Sequence, residues 1–222
     1  MGTLYIVATP IGNLKDITFR TLETLKSADL IVAEDTRQTK KLLDHYQIQK
    51  PLESYHQHSR EDKIDYLISQ LNQGKTLALV TDGGTPGIAD PGNLFVERVL
   101  EKSPDVKIIP IPGPSALTTL ASVSGINMDE FYFVGFLPHK KGRKKKLENL
   151  KNITVPIIIY ESPYRIYKLL REINDYLGNK EIIIGRELTK KFEEIIRGKV
   201  SEILAKQFKN KGEFVLIIKP DE

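Results

Sequence analysis

The chain has 222 residues, 40% of them hydrophobic and 28% charged, enough apolar material for one large domain or two small ones with cores of their own. It has no cysteine, which excludes disulfides, thiolate metal sites and a cysteine nucleophile. The start, Met1-Gly2-Thr3-Leu4-Tyr5, lacks a basic stretch followed by a long apolar one, and no apolar run approaches the roughly 18 residues of a membrane span, so no membrane association and a cytoplasmic location are expected.

Short β-rich runs alternate with helix-like stretches from end to end. Strands are expected at Leu4–Ala8, Leu30–Ala33, Leu77–Val80 and Val106–Ile111, then at Phe131–Phe136, Val155–Tyr160, Ile182–Gly185, Glu194–Arg197 and Phe214–Lys219. Helices are expected at Thr18–Ser27, Thr36–Tyr46, Ser59–Asn72, Gly92–Lys102, Ser115–Ser124, Arg143–Asn152, Pro163–Leu177 and Val200–Gln207. Ser59, with Glu61 and Asp62 behind it, reads as a helix N-cap. Continuous runs such as Ile157-Ile158-Ile159 and Ile182-Ile183-Ile184 suit strands covered on both faces. The pattern is α/β, and the break at Ile111-Pro112-Gly113-Pro114 predicts two domains, residues 1–117 and 118–222.

Charge divides unevenly at that break. Residues 1–112 hold 13 Lys or Arg and 15 Asp or Glu, a net of −2, whereas residues 113–222 hold 20 and 14, a net of +6. Six of those positive charges fall in Lys140-Lys141-Gly142-Arg143-Lys144-Lys145-Lys146, so the basicity is one local patch. Such a run is either a solvated face or a polyanion contact; without interleaved aromatics it reads as tracking phosphates and not stacking bases.

The most telling segment is Thr81-Asp82-Gly83-Gly84-Thr85-Pro86-Gly87-Ile88-Ala89-Asp90-Pro91-Gly92, which follows the apolar run Thr76–Val80 with four glycines and two prolines. A buried strand thus ends in a loop whose glycines let backbone approach a ligand, at the strand end where α/β sheets place their sites. Thr9-Pro10-Ile11-Gly12-Asn13 also leaves a strand, but lacks G-x-G-x-x-G spacing and is no dinucleotide fingerprint. Pro112-Gly113-Pro114-Ser115-Ala116 leaves another, with Ser115 suited to cap the next helix. Glu34-Asp35-Thr36-Arg37 puts three charges in four residues at a strand end, either a solvated helix start or an acid-base and phosphate pair. His56 and His58 would share a face if Leu52–His58 were a strand, but with no third ligand nearby they do not argue for a metal. No nucleophile-elbow spacing supports triad hydrolysis.

The glycine-rich loop "TDGGTPGIADPG" resembles the "SDAGTPGISDPG" signature of the ribosomal RNA small subunit methyltransferase I family, in the tetrapyrrole methylase superfamily. Seven further blocks agree in order: Ala8–Asn13, Glu34–Arg37, Pro112–Ala116, Gly135-Phe136-Leu137-Pro138, Glu161-Ser162-Pro163-Tyr164-Arg165, Arg186-Glu187-Leu188-Thr189-Lys190 and Gly212-Glu213-Phe214-Val215. Together they span residues 8 to 215, nearly the whole chain.

The resemblance implies two α/β domains of tetrapyrrole methylase type with the ligand cleft between them, S-adenosylmethionine as methyl donor and a homodimer. It implies 2′-O-methylation of a cytidine ribose in 16S ribosomal RNA, free or in the small ribosomal subunit. Pro10, Ile11, Gly12, Asp82, Gly84, Thr85, Gly87, Ser115, Ala116, Phe136 and Leu188 would hold the donor. Glu34, Asp35 and Arg37 would be catalytic, with the choice of carboxylate open. Arg37, Lys140, Lys141, Arg143, Lys144, Lys145, Lys146 and Lys190 would meet RNA. A histidine is more typical of the family where Tyr164 and Phe192 stand, so an imidazole base is unavailable at either position, while Tyr164 can still orient the acceptor by a hydrogen bond. Members commonly run on into a small C-terminal extension beyond where Lys219-Pro220-Asp221-Glu222 falls here. A small-molecule methyltransferase of the corrin type and a non-catalytic RNA-binding module are the alternatives.

Overall fold

The computed structural model describes residues 2–56 and 59–221. The chain forms two compact units, Met1–Ser115 and Ala116–Glu222. Both are α/β, as the alternating pattern predicts.

The first unit runs β1 (Thr3–Val7), α1 (Phe19–Ser27), β2 (Leu30–Ala33), α2 (Thr36–His45), β3 (Leu52–Ser54), α3 (Glu61–Asn72), β4 (Thr76–Val80), α4 (Gly92–Lys102) and β5 (Lys107–Ile111). Its five strands pair in parallel in the order β3-β2-β4-β1-β5. Alternation along each strand sends residues to two faces. Leu4, Leu30, Val32, Leu77 and Leu79 pack against Ile64, Leu67 and Leu71 of α3 and Phe95 and Val99 of α4. Val7, Ile31, Ala33, Ala78 and Val80 pack on the other face against Leu25 of α1 and Leu43 of α2.

This arrangement places a switch point. The connection leaving β1 runs through α1 toward β2, and the one leaving neighbouring β4 runs through α4 past β1 to β5, so the two depart over opposite faces. A crevice opens at the carboxyl ends of such a strand pair, because neither connection covers it.

The starts of α1 and α2 follow local chemistry. Thr18 caps α1, its hydroxyl accepting the Thr21 N–H at 3.0 Å, and Asp35 caps α2, accepting the Arg37 N–H at 2.8 Å. The expected cap of α3 is a correction: Arg60 holds the N-cap position without a side-chain bond. The Ser59 hydroxyl instead accepts the His56 N–H at 2.9 Å, closing the preceding turn. Because β3 ends at Ser54, His56 is not on a strand, and His58 lies outside the described residues.

The second unit runs α5 (Ala116–Ser122), β6 (Tyr132–Phe136), α6 (Arg143–Leu150), β7 (Ile157–Glu161), α7 (Ile166–Leu177), β8 (Glu181–Arg186), β9 (Glu194–Lys199), α8 (Val200–Lys206) and β10 (Phe214–Ile218). Its order is β6-β7-β10-β8-β9, and only β6 and β7 are parallel. Ile157, Ile159, Ile182, Ile184 and Leu216 face Leu147 and Leu150 of α6, Leu169 and Ile173 of α7 and Ile203 of α8. Ile158, Ile183 and Ile217, on the other face, are also buried, so the continuous isoleucine runs are covered twice. Among the described residues no helix is long and apolar enough to cross a membrane.

Candidate functional site

In the first unit, the loops leaving β1, β4 and β5 meet at the switch point. Thr9 and Gly84 exchange backbone hydrogen bonds, each 2.9 Å, and the Thr9 hydroxyl donates to the Thr81 carbonyl at 3.2 Å. The Thr85 hydroxyl donates to the Pro114 carbonyl, also at 3.2 Å. Close approach demands glycine here: a Cβ on Gly113 would stand 2.9 Å from the Ala8 Cβ, and one on Gly83 would stand 3.2 Å from the Pro10 carbonyl. Gly84, at φ +93°, occupies the left-handed region that side chains disfavour. Pro10, Ile11, Gly83, Gly84, Thr85 and Gly113 are thus brought together, with Gly12 in the same first loop and Ser115 just after the third.

The remainder of the glycine-rich loop is ordered by Asp90, which is not among the candidate site residues read from the sequence. Asp90 Oδ1 accepts the Gly87 N–H at 2.8 Å and the Gly92 N–H at 2.7 Å, closing the turn before α4. An aspartate two residues before a glycine at a helix entrance is the sequence signal for such an Asx turn.

The acidic motif at the end of β2 reaches across to the neighbouring end of β4. The Thr81 hydroxyl donates to Glu34 Oε2 at 2.9 Å, and Asp82 Oδ1 accepts the Asp35 N–H at 3.1 Å. The two carboxylates then diverge. Asp35 accepts both Nε and Nη2 of Arg37, at 3.1 and 2.7 Å, and this hydrogen-bonded pairing lowers its pKa to about 2. Among the described residues Glu34 has no cationic hydrogen-bond partner; burial pushes its pKa above the ordinary value, Asp82, Asp90 and Asp35 push it further, and the Thr81 bond opposes them. Of the two carboxylates, Glu34 holds a proton the more readily. Arg37 projects into solvent, its side chain 87% exposed.

In the second unit, Phe136 ends β6 and stays half exposed, its ring edge-on to Tyr160 at 5.6 Å. Leu188 is buried, close enough to Gly185 that a Cβ there would meet it at 3.0 Å. Ala116 opens α5. Lys190 donates to Glu187 at 3.0 Å and to Glu213 at 2.8 Å; burial works against its charge, but these carboxylates prevail and raise its pKa, which favours the charged form.

The basic run divides. Lys140, Lys141, Lys144 and Lys145 are exposed, and Lys144 faces Glu148 at 3.7 Å one helical turn on. Lys146 lies over the Tyr132 ring and donates to its hydroxyl at 3.0 Å. Arg143 corrects the expectation: it is only 3% exposed, with Nη2 2.7 Å from Glu172 and 3.3 Å from Glu161, and so is withdrawn from any RNA surface. Arg143 stands four residues before Leu147 and seven before Leu150, on one buried helix stripe.

Residues 3–204 match the family described as Tetrapyrrole (Corrin/Porphyrin) Methylases. The chain is 48% identical to "Ribosomal RNA small subunit methyltransferase I" of Halalkalibacterium halodurans over 98% of its own length and 75% of that protein's. It is 45% identical to the protein of the same name from Thermotoga maritima over the full length of both. The chain belongs to the ribosomal RNA small subunit methyltransferase I family. Its fold is shared with a solved uroporphyrin-III C-methyl transferase from Thermus thermophilus complexed with S-adenyl homocysteine, at a TM-score of 0.66 and 17% identity, covering 98% of this chain and 97% of that one.

Within the Glu161-Ser162-Pro163-Tyr164-Arg165 block, two residues have a structural role. Glu161 is 2% exposed; its Oε1 lies 2.6 Å from Arg165 and accepts the Ser162 N–H at 2.8 Å, while Oε2 takes Arg143. Arg165 donates to the Leu137 carbonyl and Arg143 to the Pro138 carbonyl, both at 3.2 Å, so one buried carboxylate fixes the chain beyond Phe136.

Proposed function

We propose that this protein transfers a methyl group from S-adenosylmethionine to the ribose 2′ oxygen of a cytidine in 16S ribosomal RNA, acting in the cytoplasm, as a homodimer, on the free RNA or the small ribosomal subunit. The family carries the donor and the RNA substrate. The observation that carries the chemistry is the pairing of three side-chain-poor loops at the switch point with one carboxylate of raised pKa.

The residues present fit such a donor. Gly84 at positive φ and the glycine contacts around Pro10 and Ala8 leave a surface of backbone on which a flat purine and a thioether can lie, and Asp82 and Thr85 add polar groups beside it. Donor binding is assigned to Pro10, Ile11, Gly12, Asp82, Gly84, Thr85, Gly87 and Ser115, with Ala116, Phe136 and Leu188 from the second unit. Asp90 shapes the loop that carries Gly87.

The donor supplies an activated methyl with a thioether as leaving group. The protein's part is then to hold the ribose oxygen in line with the methyl carbon and sulfur, and to remove its proton. Glu34 takes that proton, because Asp35 is committed to Arg37 and Lys190 to two carboxylates. Arg37 and the exposed lysines meet RNA phosphates.

The four exposed lysines favour a polyanion over a small tetrapyrrole. Replacing Lys140, Lys141, Lys144 and Lys145 with Ala should weaken RNA binding and lower its salt slope by up to roughly 0.7–0.9 per lost phosphate contact, with donor affinity unchanged. Arg143→Met should leave the slope alone and reduce thermal stability instead. A quadruple variant with wild-type RNA affinity and slope would mark the run as a solvated face.

A further inference from the structure

Tyr164 is 94% exposed, the most exposed of the large apolar side chains in the described residues. Its ring is not on a loose loop. It stands in the turn between β7 and α7, where Arg165 is bound to Glu161 at 2.6 Å, to the Ser162 hydroxyl at 3.2 Å and to the Leu137 carbonyl at 3.2 Å, and the Arg165 N–H closes on the Ser162 carbonyl at 3.1 Å. A rigid turn that holds an aromatic ring in water forgoes the burial that such a ring ordinarily finds.

The same Glu161 also binds Arg143, at 3.3 Å. Arg143 is flanked in sequence by Lys140 and Lys141 on one side and Lys144 and Lys145 on the other, all four exposed. One buried carboxylate therefore anchors both the turn that presents Tyr164 and the helix start that presents the lysines. β6 and β7 are parallel, with Phe136 paired to Tyr160, so both segments leave the sheet at the same end. Read as sequence, the basic run has no aromatic in it; the fold supplies one from a segment about twenty residues on.

We propose that this surface of the second unit binds an unpaired nucleotide of the RNA, its base stacked on the Tyr164 ring and its neighbouring phosphates on Lys140, Lys141, Lys144 and Lys145. The inference rests on the RNA reading above and narrows it to a single-stranded or locally opened segment. A base in a duplex has its faces covered by its neighbours, so a stacking platform selects unpaired RNA, whereas lysines alone do not. Stacking uses the ring and leaves the hydroxyl unneeded, which distinguishes this role from hydrogen-bonded orientation of the acceptor.

The test uses the whole protein with a short unstructured cytidine-containing RNA and with the same RNA in a duplex, the single strand carrying 2-aminopurine at successive positions. Tyr164→Ala should weaken single-strand binding by roughly 5- to 150-fold with an unchanged salt slope, leave duplex and donor affinities as in wild type, and abolish a 2-aminopurine quench seen at one position. Tyr164→Phe and Tyr164→Trp should keep both the affinity and the quench. Equal single-strand affinity for Tyr164→Ala and wild type, or an equal loss on duplex, would overturn the stacking role, and so would a Tyr164→Phe variant as weak as Tyr164→Ala. Wild-type protein lacking any salt-dependent RNA affinity would bring down the RNA reading itself.

Discussion

Replacing Glu34 with Gln is expected to lower the single-turnover rate of methyl transfer by about 100-fold or more, with little change in affinity for donor or RNA. The wild-type rate should rise with pH through the raised Glu34 value and then level, because only the ionised carboxylate accepts the ribose proton; the Gln variant should show no such rise. The same shift predicts a stability trend. A carboxyl whose pKa is higher in the folded chain holds its proton more tightly there, so folding stability is lost as pH climbs from the ordinary glutamate range through the raised value. Gln bears no such cost, and the variant should gain stability relative to wild type as pH rises. Asp35→Asn, by contrast, should keep the pH-dependent rise, since Asp35 is ionised down to about 2. A Glu34→Gln enzyme with near-normal rate at saturating substrates would remove the carboxylate from the proton transfer.

Glu161→Leu is the second large effect expected, and it falls on stability. The substitution leaves Arg165 without its carboxylate and Arg143 with Glu172 alone, both inside the second unit. Removing one partner of a buried ion pair typically costs about 3–5 kcal/mol, because the remaining charge stays desolvated. Thermal unfolding should therefore shift down by roughly 6–20 °C for a chain of this size. Replacing Glu161, Arg143 and Arg165 together with apolar residues of similar volume should recover much of the loss, as neither arginine is left as a buried unpaired charge and Glu172 keeps Lys168 at 3.8 Å. A single variant within about 0.5 kcal/mol of wild type would show the network to be dispensable.

Much of this was legible because the relevant forces are local. The strand and helix pattern follows apolar periodicity, Thr18 and Asp35 cap helices through bonds spanning two or three residues, and the glycine-rich loop declares itself by composition. What was not legible depends on partners remote in sequence. Glu34 and Asp35 look alike in the chain, and their difference arises partly from Thr81 and Asp82, 47 residues on, which only the pairing of β2 with β4 brings beside them. Arg143 reads as one more charge in a basic run until Glu161 and Glu172, 18 and 29 residues away, are seen around it. Ser59 had the chemistry of a cap but spent its hydroxyl on His56. The antiparallel pairing of β10 between β7 and β8 likewise has no local signature, since buried strands of either sense read as continuous apolar runs.

Methyl transfer to a ribose oxygen of RNA leaves a product that can be read directly. The most direct measurement is mass mapping of 16S ribosomal RNA, free and in the small subunit, after incubation with the protein and isotopically labelled S-adenosylmethionine. One labelled methyl is expected on the 2′ oxygen of a cytidine, absent with Glu34→Gln over the same time. Label on a base, or none on RNA in either form from protein that binds the donor, would contradict it.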